Sequence, residues 1–164
     1  MMKTSKEDKI LKKIYLAGSC SAEMRTNLVH LAQHLRNNLF QNFEVYCPFE
    51  LKIPNAWDLS QEEWAMEVYL ADVAAIRECD YFLMVTPGRN STAGTNWEQG
   101  YAYGIQKPVI VAQYTNDNTS LMTYWGCDHF RNYNGFADLL ENILGQINDY
   151  QQGVESTKCS TILT

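Results

Sequence analysis

Tyr81-Phe82-Leu83-Met84-Val85 is followed, after Pro87-Gly88-Arg89-Asn90-Ser91, by Thr92-Ala93-Gly94-Thr95-Asn96-Trp97-Glu98-Gln99-Gly100-Tyr101-Ala102. The first run is apolar and bounded by turn residues, the pattern of a buried strand. The last begins with Gly-Thr and continues with small and aromatic residues at helical spacing. Strand, loop and helix start in that order mark the carboxyl end of a strand in an α/β sheet, where such sheets place ligands. The backbone N–H groups of Gly94 and Thr95 would be free there, at the positive end of the helix dipole.

On a helical wheel starting at Asn96, residues Trp97, Tyr101, Ala102, Gly104 and Ile105 form an apolar arc. Glu98 falls inside it, while Asn96, Gln99 and Tyr103 fall outside. A carboxylate on a packed face is costly unless it is paired or has a chemical task. The plainer reading is a helix-start glutamate satisfying nearby N–H groups.

The same logic applies one element earlier. Ser60 and Glu63 form a capping-box pattern that opens a helix from Gln61 to about Glu78. Trp64, Ala65, Val68, Tyr69, Val73, Ala75 and Ile76 fill one half of its wheel, with Glu67, Arg77 and Glu78 on the other. Asp72 projects from the apolar half, and an acid so placed is neutralised, paired or functional. A hydrogen bond to a neighbouring loop is the alternative.

Outward from this centre, Ile14-Tyr15-Leu16-Ala17 before Gly18-Ser19 reads as the first strand and its exit turn. Ser21 can cap a helix running to about Asn38, with Leu28, Leu31, Ala32 and Leu35 as its stripe. Phe43 to Cys47 is the second strand and Val109 to Ala112 the fourth; a weak fifth is expected between Cys127 and Tyr133. Residues 49–58 read as a loop whose Trp57 is either a lid over a flat ligand or, more commonly for a residue so placed, a loop anchor. Residues 114–126 read as a connection, polar and then aromatic. A last helix spans about Gly135 to Tyr150. Residues 1–11 read as a polar leader and 151–164 as a polar tail around a single domain. Strands alternating with helices imply a three-layer α/β fold with a parallel sheet, whose right-handed crossovers put the exits of strands 1 and 3 on one edge.

Composition excludes several classes. The chain has 164 residues, enough for one domain with a real core, and a net charge of −6, which argues against a general nucleic-acid surface. No apolar run approaches the roughly 20 residues of a membrane span, and the polar start is no signal peptide. The five cysteines show no metal spacing and read as reduced thiols of a cytoplasmic protein; Cys20 reads as a small packed thiol. His30 and His34 lie one turn apart on a helix and read as solvated rather than as metal ligands. No glycine-rich dinucleotide or phosphate-loop fingerprint is present. No nucleophilic serine or cysteine comes with an obvious histidine base. What remains is Tyr15, Gly18, Ser19, Asp72, Thr92 and Glu98 converging on one rim. Two buried acids at one rim suit chemistry at an acetal-like carbon, one ionised and attacking, the other protonated and donating to the leaving group. A tyrosine hydroxyl can hold the nucleophile in its reactive rotamer.

Ile14-Tyr15-Leu16-Ala17-Gly18, Asp72 with Ile76 and Cys79-Asp80, the stretch Gly94-Thr95-Asn96-Trp97-Glu98-Gln99-Gly100-Tyr101-Ala102, and Lys107-Pro108 resemble the nucleoside 2-deoxyribosyltransferase family over roughly residues 13–126. The resemblance implies a flavodoxin-like five-stranded parallel sheet with helices on both faces, and no metal or organic cofactor. It implies that Glu98 attacks C1′ of a 2′-deoxynucleoside, that Asp72 protonates the departing base and that Tyr15 positions Glu98. It implies a homo-oligomer with shared active sites, acting in salvage of purine and pyrimidine nucleosides. Gly18, Ser19, Thr92, Gly94, Ser120 and Met122 fall at substrate-binding positions, the last two on a segment offered to the neighbouring subunit. Two departures stand out: transferases of the family usually carry an Asp where this chain has Thr92, and often an Asn where it has Ser120. A sister branch, the 2′-deoxynucleoside 5′-monophosphate N-glycosidases, uses hydroxyls at such positions to bind phosphate, and an Arg in the first loop; here Ser21 stands nearest that place, with Arg25 or Arg89 as substitutes. The transferase is the preferred reading, the N-glycosidase the alternative, and a non-catalytic nucleotide sensor the third.

Overall fold

The structure, a computed structural model, describes residues 10–156. Most of the leader and tail named above therefore lies outside the described residues. The strands are β1 (Lys13–Gly18), β2 (Glu44–Tyr46), β3 (Tyr81–Thr86), β4 (Val109–Gln113) and β5 (His129–Asn132). They form one parallel sheet in the order β2-β1-β3-β4-β5. The helices are α1 (Ala22–Asn37), α2 (Gln61–Glu78), α3 (Ala93–Gly104), α4 (Leu121–Trp125) and α5 (Phe136–Gln151). The expected α/β architecture with a five-stranded parallel sheet is the observed one.

The strands are short runs of apolar residues because helices cover both faces and alternation is not needed. One core layer joins Leu16, Leu83 and Ile110 to Leu28 and Leu31 of α1 and to Leu139 and Ile143 of α5. The other joins Tyr15, Phe82, Met84 and Val111 to Ile76 of α2 and Ala102 of α3. The caps follow the sequence: Ser21 accepts from the Met24 N–H at 3.3 Å, and Ser60 and Glu63 exchange both capping-box bonds.

Five local expectations are corrected. The 114–126 connection holds a helix, α4, too short for any period to reveal. Residues 49–58 include parts of two 3-10 turns, Pro48–Glu50 and Ala56–Asp58. Trp57 is 93% exposed and so does not anchor the loop among the described residues. The inner face of α3 is Thr95, Gln99 and Ala102, whereas Trp97, Tyr103 and Ile105 are exposed. Gln99 turns inward because its amide donates to the carbonyls of Thr123 and Gly126, both at 2.8 Å, making a polar residue the bracket between α3 and α4. Helix α2 likewise buries only Val73 and Ile76 and leaves Trp64, Met66, Tyr69 and Leu70 exposed.

Candidate active site

The site is built where β1 and β3 end side by side, with Gly18 level with Val85. Tyr15 of β1 stands level with Tyr46 of β2 and with Phe82 of β3. The three rings form a stacked row: Tyr15 lies 5.4 Å from Tyr46 and 5.3 Å from Phe82, at 19° and 8°. Packing fixes the row, so the two hydroxyls at its rim are fixed too.

Each hydroxyl holds one acid. Tyr15 donates to Glu98 Oε1 at 3.0 Å, and Tyr46 donates to Asp72 Oδ1 at 2.8 Å. Burial pushes Glu98 up to about 7; the Tyr15 hydrogen bond opposes that rise and the Asp72 charge adds to it. Asp72 is also raised by burial, with the Tyr46 hydrogen bond opposing. Both tyrosines are driven well above the usual phenol value, by burial first and by the carboxylates after it, so they stay protonated and donate. Glu98 therefore sits at the edge of the packed face of α3, half-buried and bonded by a residue 83 positions away, which excludes its reading as a plain helix-start glutamate.

Glu98 and Asp72 share a cleft of about 450 Å³ with Gly18, Thr92, Gly94 and Thr95. Arg25, Phe49, Leu51, Ile53, Trp64 and Val68 line it as well. Thr95 donates to the Gly18 carbonyl at 3.0 Å and lies 2.7 Å from the Thr92 hydroxyl. Thr92 is the N-cap of α3 yet makes no side-chain cap, which leaves first-turn N–H groups open beside Gly94. Gly18 is required by close approach: a Cβ there would meet Leu28 Cδ1 at 2.5 Å. Arg25 sits over the Phe49 ring, 5.4 Å from its centroid, and no carboxylate among the described residues pairs with it.

Other expected residues fall elsewhere. Ser19 is absent from the cleft wall; its hydroxyl accepts from the Ser21 N–H at 3.4 Å. Ser120 and Met122 line a separate depression with Asn96, Gly100, Tyr103 and Trp125, on the far side of α3 from Glu98. Cys20, expected as a packed thiol, is exposed at the cleft wall. His30 is exposed, His34 is half-buried rather than solvated, and no cluster of metal-ligating residues occurs among the described residues. Tyr46 is the residue that sequence reasoning missed. Its only signal is the parallel register with Tyr15, which requires the sheet order.

A tyrosine-held carboxylate sharing a cleft with a second carboxylate, at the carboxyl ends of a parallel sheet on an α/β scaffold, is an arrangement that suits cleavage at an acetal-like carbon. The sequence profile of the nucleoside 2-deoxyribosyltransferase family matches residues 14–155, and the chain belongs to that family. No curated protein matches it in sequence. Among solved structures, it resembles the 2-deoxyribosyltransferase of Bacillus psychrosaccharolyticus, with a TM-score of 0.63 and 27% identity over 78% of this chain and 90% of that one. It shares the fold of a CMP N-glycosidase of Clostridium botulinum, with a TM-score of 0.57 and 21% identity over 80% and 97% of the two chains. A conserved protein of Enterococcus faecalis has the same fold, with a TM-score of 0.54 and 19% identity over 83% and 99%. The chain is thus an enzyme of the nucleoside 2-deoxyribosyltransferase family.

Proposed function

We propose that this enzyme is a nucleoside 2-deoxyribosyltransferase working through a covalent intermediate on Glu98. A Glu98 oxygen bonds to C1′ of a 2′-deoxynucleoside as the bond from C1′ to the base nitrogen breaks. Asp72 gives its proton to the departing base. A second base then attacks C1′, its ring nitrogen loses a proton to Asp72, and Glu98 is released as carboxylate. Tyr15 holds Glu98 in line throughout. The lack of a 2′-hydroxyl favours the oxocarbenium-like transition state. The observation that carries this reading is the Tyr15 hydroxyl on Glu98 at 3.0 Å, with Asp72 in the same cleft.

The proton count supports it. The Asp72 charge adds to what raises Glu98 to about 7, so the last proton of the pair rests chiefly on Glu98, and reaction draws on the form in which that proton has moved to Asp72 and Glu98 is ionised. The reacting pair carries one proton in total, and that state is populated between the two titrations. Gly18, Thr92 and Gly94 would meet the sugar end of the substrate, and the apolar wall from Phe49 to Trp64 its base.

A second reading rests on one observation. Arg25 in the cleft has no carboxylate partner among the described residues, and Thr92 brings no negative charge to the open first turn of α3. That combination would accept a 5′-phosphate, with water in place of the second base. Deoxyinosine plus adenine, and separately deoxynucleoside monophosphates alone, separate the two. Base exchange without free sugar supports the transferase; release of deoxyribose 5-phosphate supports the hydrolase. Binding without turnover in either assay would point to a sensor.

The exposed surface supports a homo-oligomer. Trp64, Tyr69, Trp97, Leu121, Met122 and Trp125 are exposed on α2, α3 and α4, an apolar face that a second copy would cover. In that assembly Ser120 and Met122 would serve the neighbour's cleft rather than their own. The four described cysteines are free thiols, in keeping with a reducing cytoplasm.

A further inference from the structure

We propose that Tyr46 is a positioning residue for Asp72, and that the pair of tyrosines on adjacent strands decides how the proton is divided between the two acids. The inference rests on the reading of Glu98 and Asp72 given above and extends it to a residue to which that reading gives no part.

Three observations carry it. Tyr46 donates to Asp72 Oδ1 at 2.8 Å, a bond between elements 26 residues apart and so not a by-product of local turns. Its ring is stacked on Tyr15 at 5.4 Å, which fixes the hydroxyl without help from Asp72. Tyr15 and Tyr46 are level in the β1–β2 register, so one row of the sheet delivers one donor to each acid. The arrangement is paired: Tyr15 with Glu98, Tyr46 with Asp72.

The consequence for chemistry is direct. With Oδ1 occupied by Tyr46, Asp72 has Oδ2 left to carry the proton toward the leaving base. A donor to a carboxylate favours its ionised form. Tyr46 therefore favours ionised Asp72 and Tyr15 favours ionised Glu98, and the balance of the two bonds divides the shared proton between the acids. The groups facing Asp72 are Tyr46 from β2, Tyr15 from β1 and Glu98 from α3, with Arg25 of α1 and Cys20 in the same cleft wall and Cys47 next to Tyr46. Of these, Tyr46 alone bonds Asp72 directly among the described residues.

Tyr46→Phe keeps the ring in the stack and removes only the hydroxyl, so the fold is retained; circular dichroism and a melting curve check this. In kcat/KM for deoxyinosine with adenine as acceptor, the acid limb of the pH profile should move up by roughly one pH unit, while the alkaline limb stays. The active window narrows. Tyr15→Phe should do the reverse, lifting the alkaline limb and widening the window. The Tyr46→Phe deficit should also grow as the leaving base becomes poorer, and vanish in an Asp72→Asn background. A rate loss equal at every pH, or profiles that coincide, overturns the proposal. Carbon NMR titration of the Asp72 carboxyl, wild type against Tyr46→Phe, reads the same contact without turnover: an upward shift upholds it and an unmoved titration sinks it. If that shift is seen while wild type transfers no sugar, the functional reading has failed and the role of Tyr46 in holding Asp72 has not.

Discussion

Thr95 donates its hydroxyl to the carbonyl of Gly18 at 3.0 Å, and that bond ties the helix bearing Glu98 to the end of the strand bearing Tyr15. The two partners of the central hydrogen bond are thus held by a second link beside the first. Thr95 is buried, so the bond is shielded from water. Thr95→Val keeps the volume and removes the donor. It should leave KM for the sugar donor within about threefold and lower kcat by about tenfold, the signature of a displaced nucleophile rather than lost binding. Steady-state kinetics on deoxyinosine and adenine measure both.

Removing the nucleophile should separate activity from stability. Glu98→Gln keeps the shape and can still accept from Tyr15, yet turnover should fall by at least about a thousandfold. Its stability should change with pH in one direction. Glu98 titrates near 7 in the fold against 4.5 for the free group, so its contribution is fully present below about 4.5 and is lost as pH rises through 7. The Gln variant escapes that loss. It should be more stable than wild type by on the order of 2 kcal/mol at pH 8, after discounting for partial exposure, and equal to it near pH 4. Urea unfolding at the two pH values tests this.

The pH dependence of wild type follows from the same pair. The singly protonated dyad disappears once Glu98 is ionised on top of Asp72. Activity should therefore decline as pH rises through about 7, and decline again in acid where Asp72 takes up a proton. A profile that climbs steadily to pH 9 would contradict the assignment.

Arg25 offers the sharpest test of substrate charge. Arg25→Ala should leave exchange on free deoxynucleosides within about threefold if the transferase reading holds. It should lower kcat/KM on 5′-monophosphates by about a hundredfold if the phosphate reading holds, since a charged hydrogen bond to phosphate is lost. Initial rates on the two substrate classes decide.

Gln99→Leu is a test of fold rather than chemistry. It leaves the carbonyls of Thr123 and Gly126 without their donor and should cost about 2 kcal/mol. Urea unfolding measures it. The loss is centred on the 121–126 segment, where a Cβ on Gly126 would already press on the Met122 carbonyl at 2.5 Å.

How much of this was legible in the chain depends on what each feature needs. Apolar runs at 81–86 and 109–113 and the Ser60–Glu63 cap are local signals, and they mark strand and helix starts directly. Glu98 and Asp72 were visible as acids out of place on apolar arcs. The inner face of α3 was misjudged because the wheel counts hydrophobicity, while Gln99 is buried by two hydrogen bonds and Trp97 is left outside. The apolar half of α2 was read as buried for the same reason, though most of it faces outward. Tyr46 was invisible, since β2 has only three residues and its partner Tyr15 lies across a parallel pairing.

The bare start of α3 has a thermodynamic meaning. By turning its hydroxyl to Thr95, Thr92 forgoes a cap ordinarily worth about 1 kcal/mol, and the amide hydrogens of the first turn remain for whatever arrives from solvent. Occupancy and folding are then linked: a molecule that supplies the missing acceptors adds its binding free energy to the native state. The empty enzyme is its own least stable form, and saturation with a true substrate analogue should announce itself as a rise in melting temperature before any product is measured.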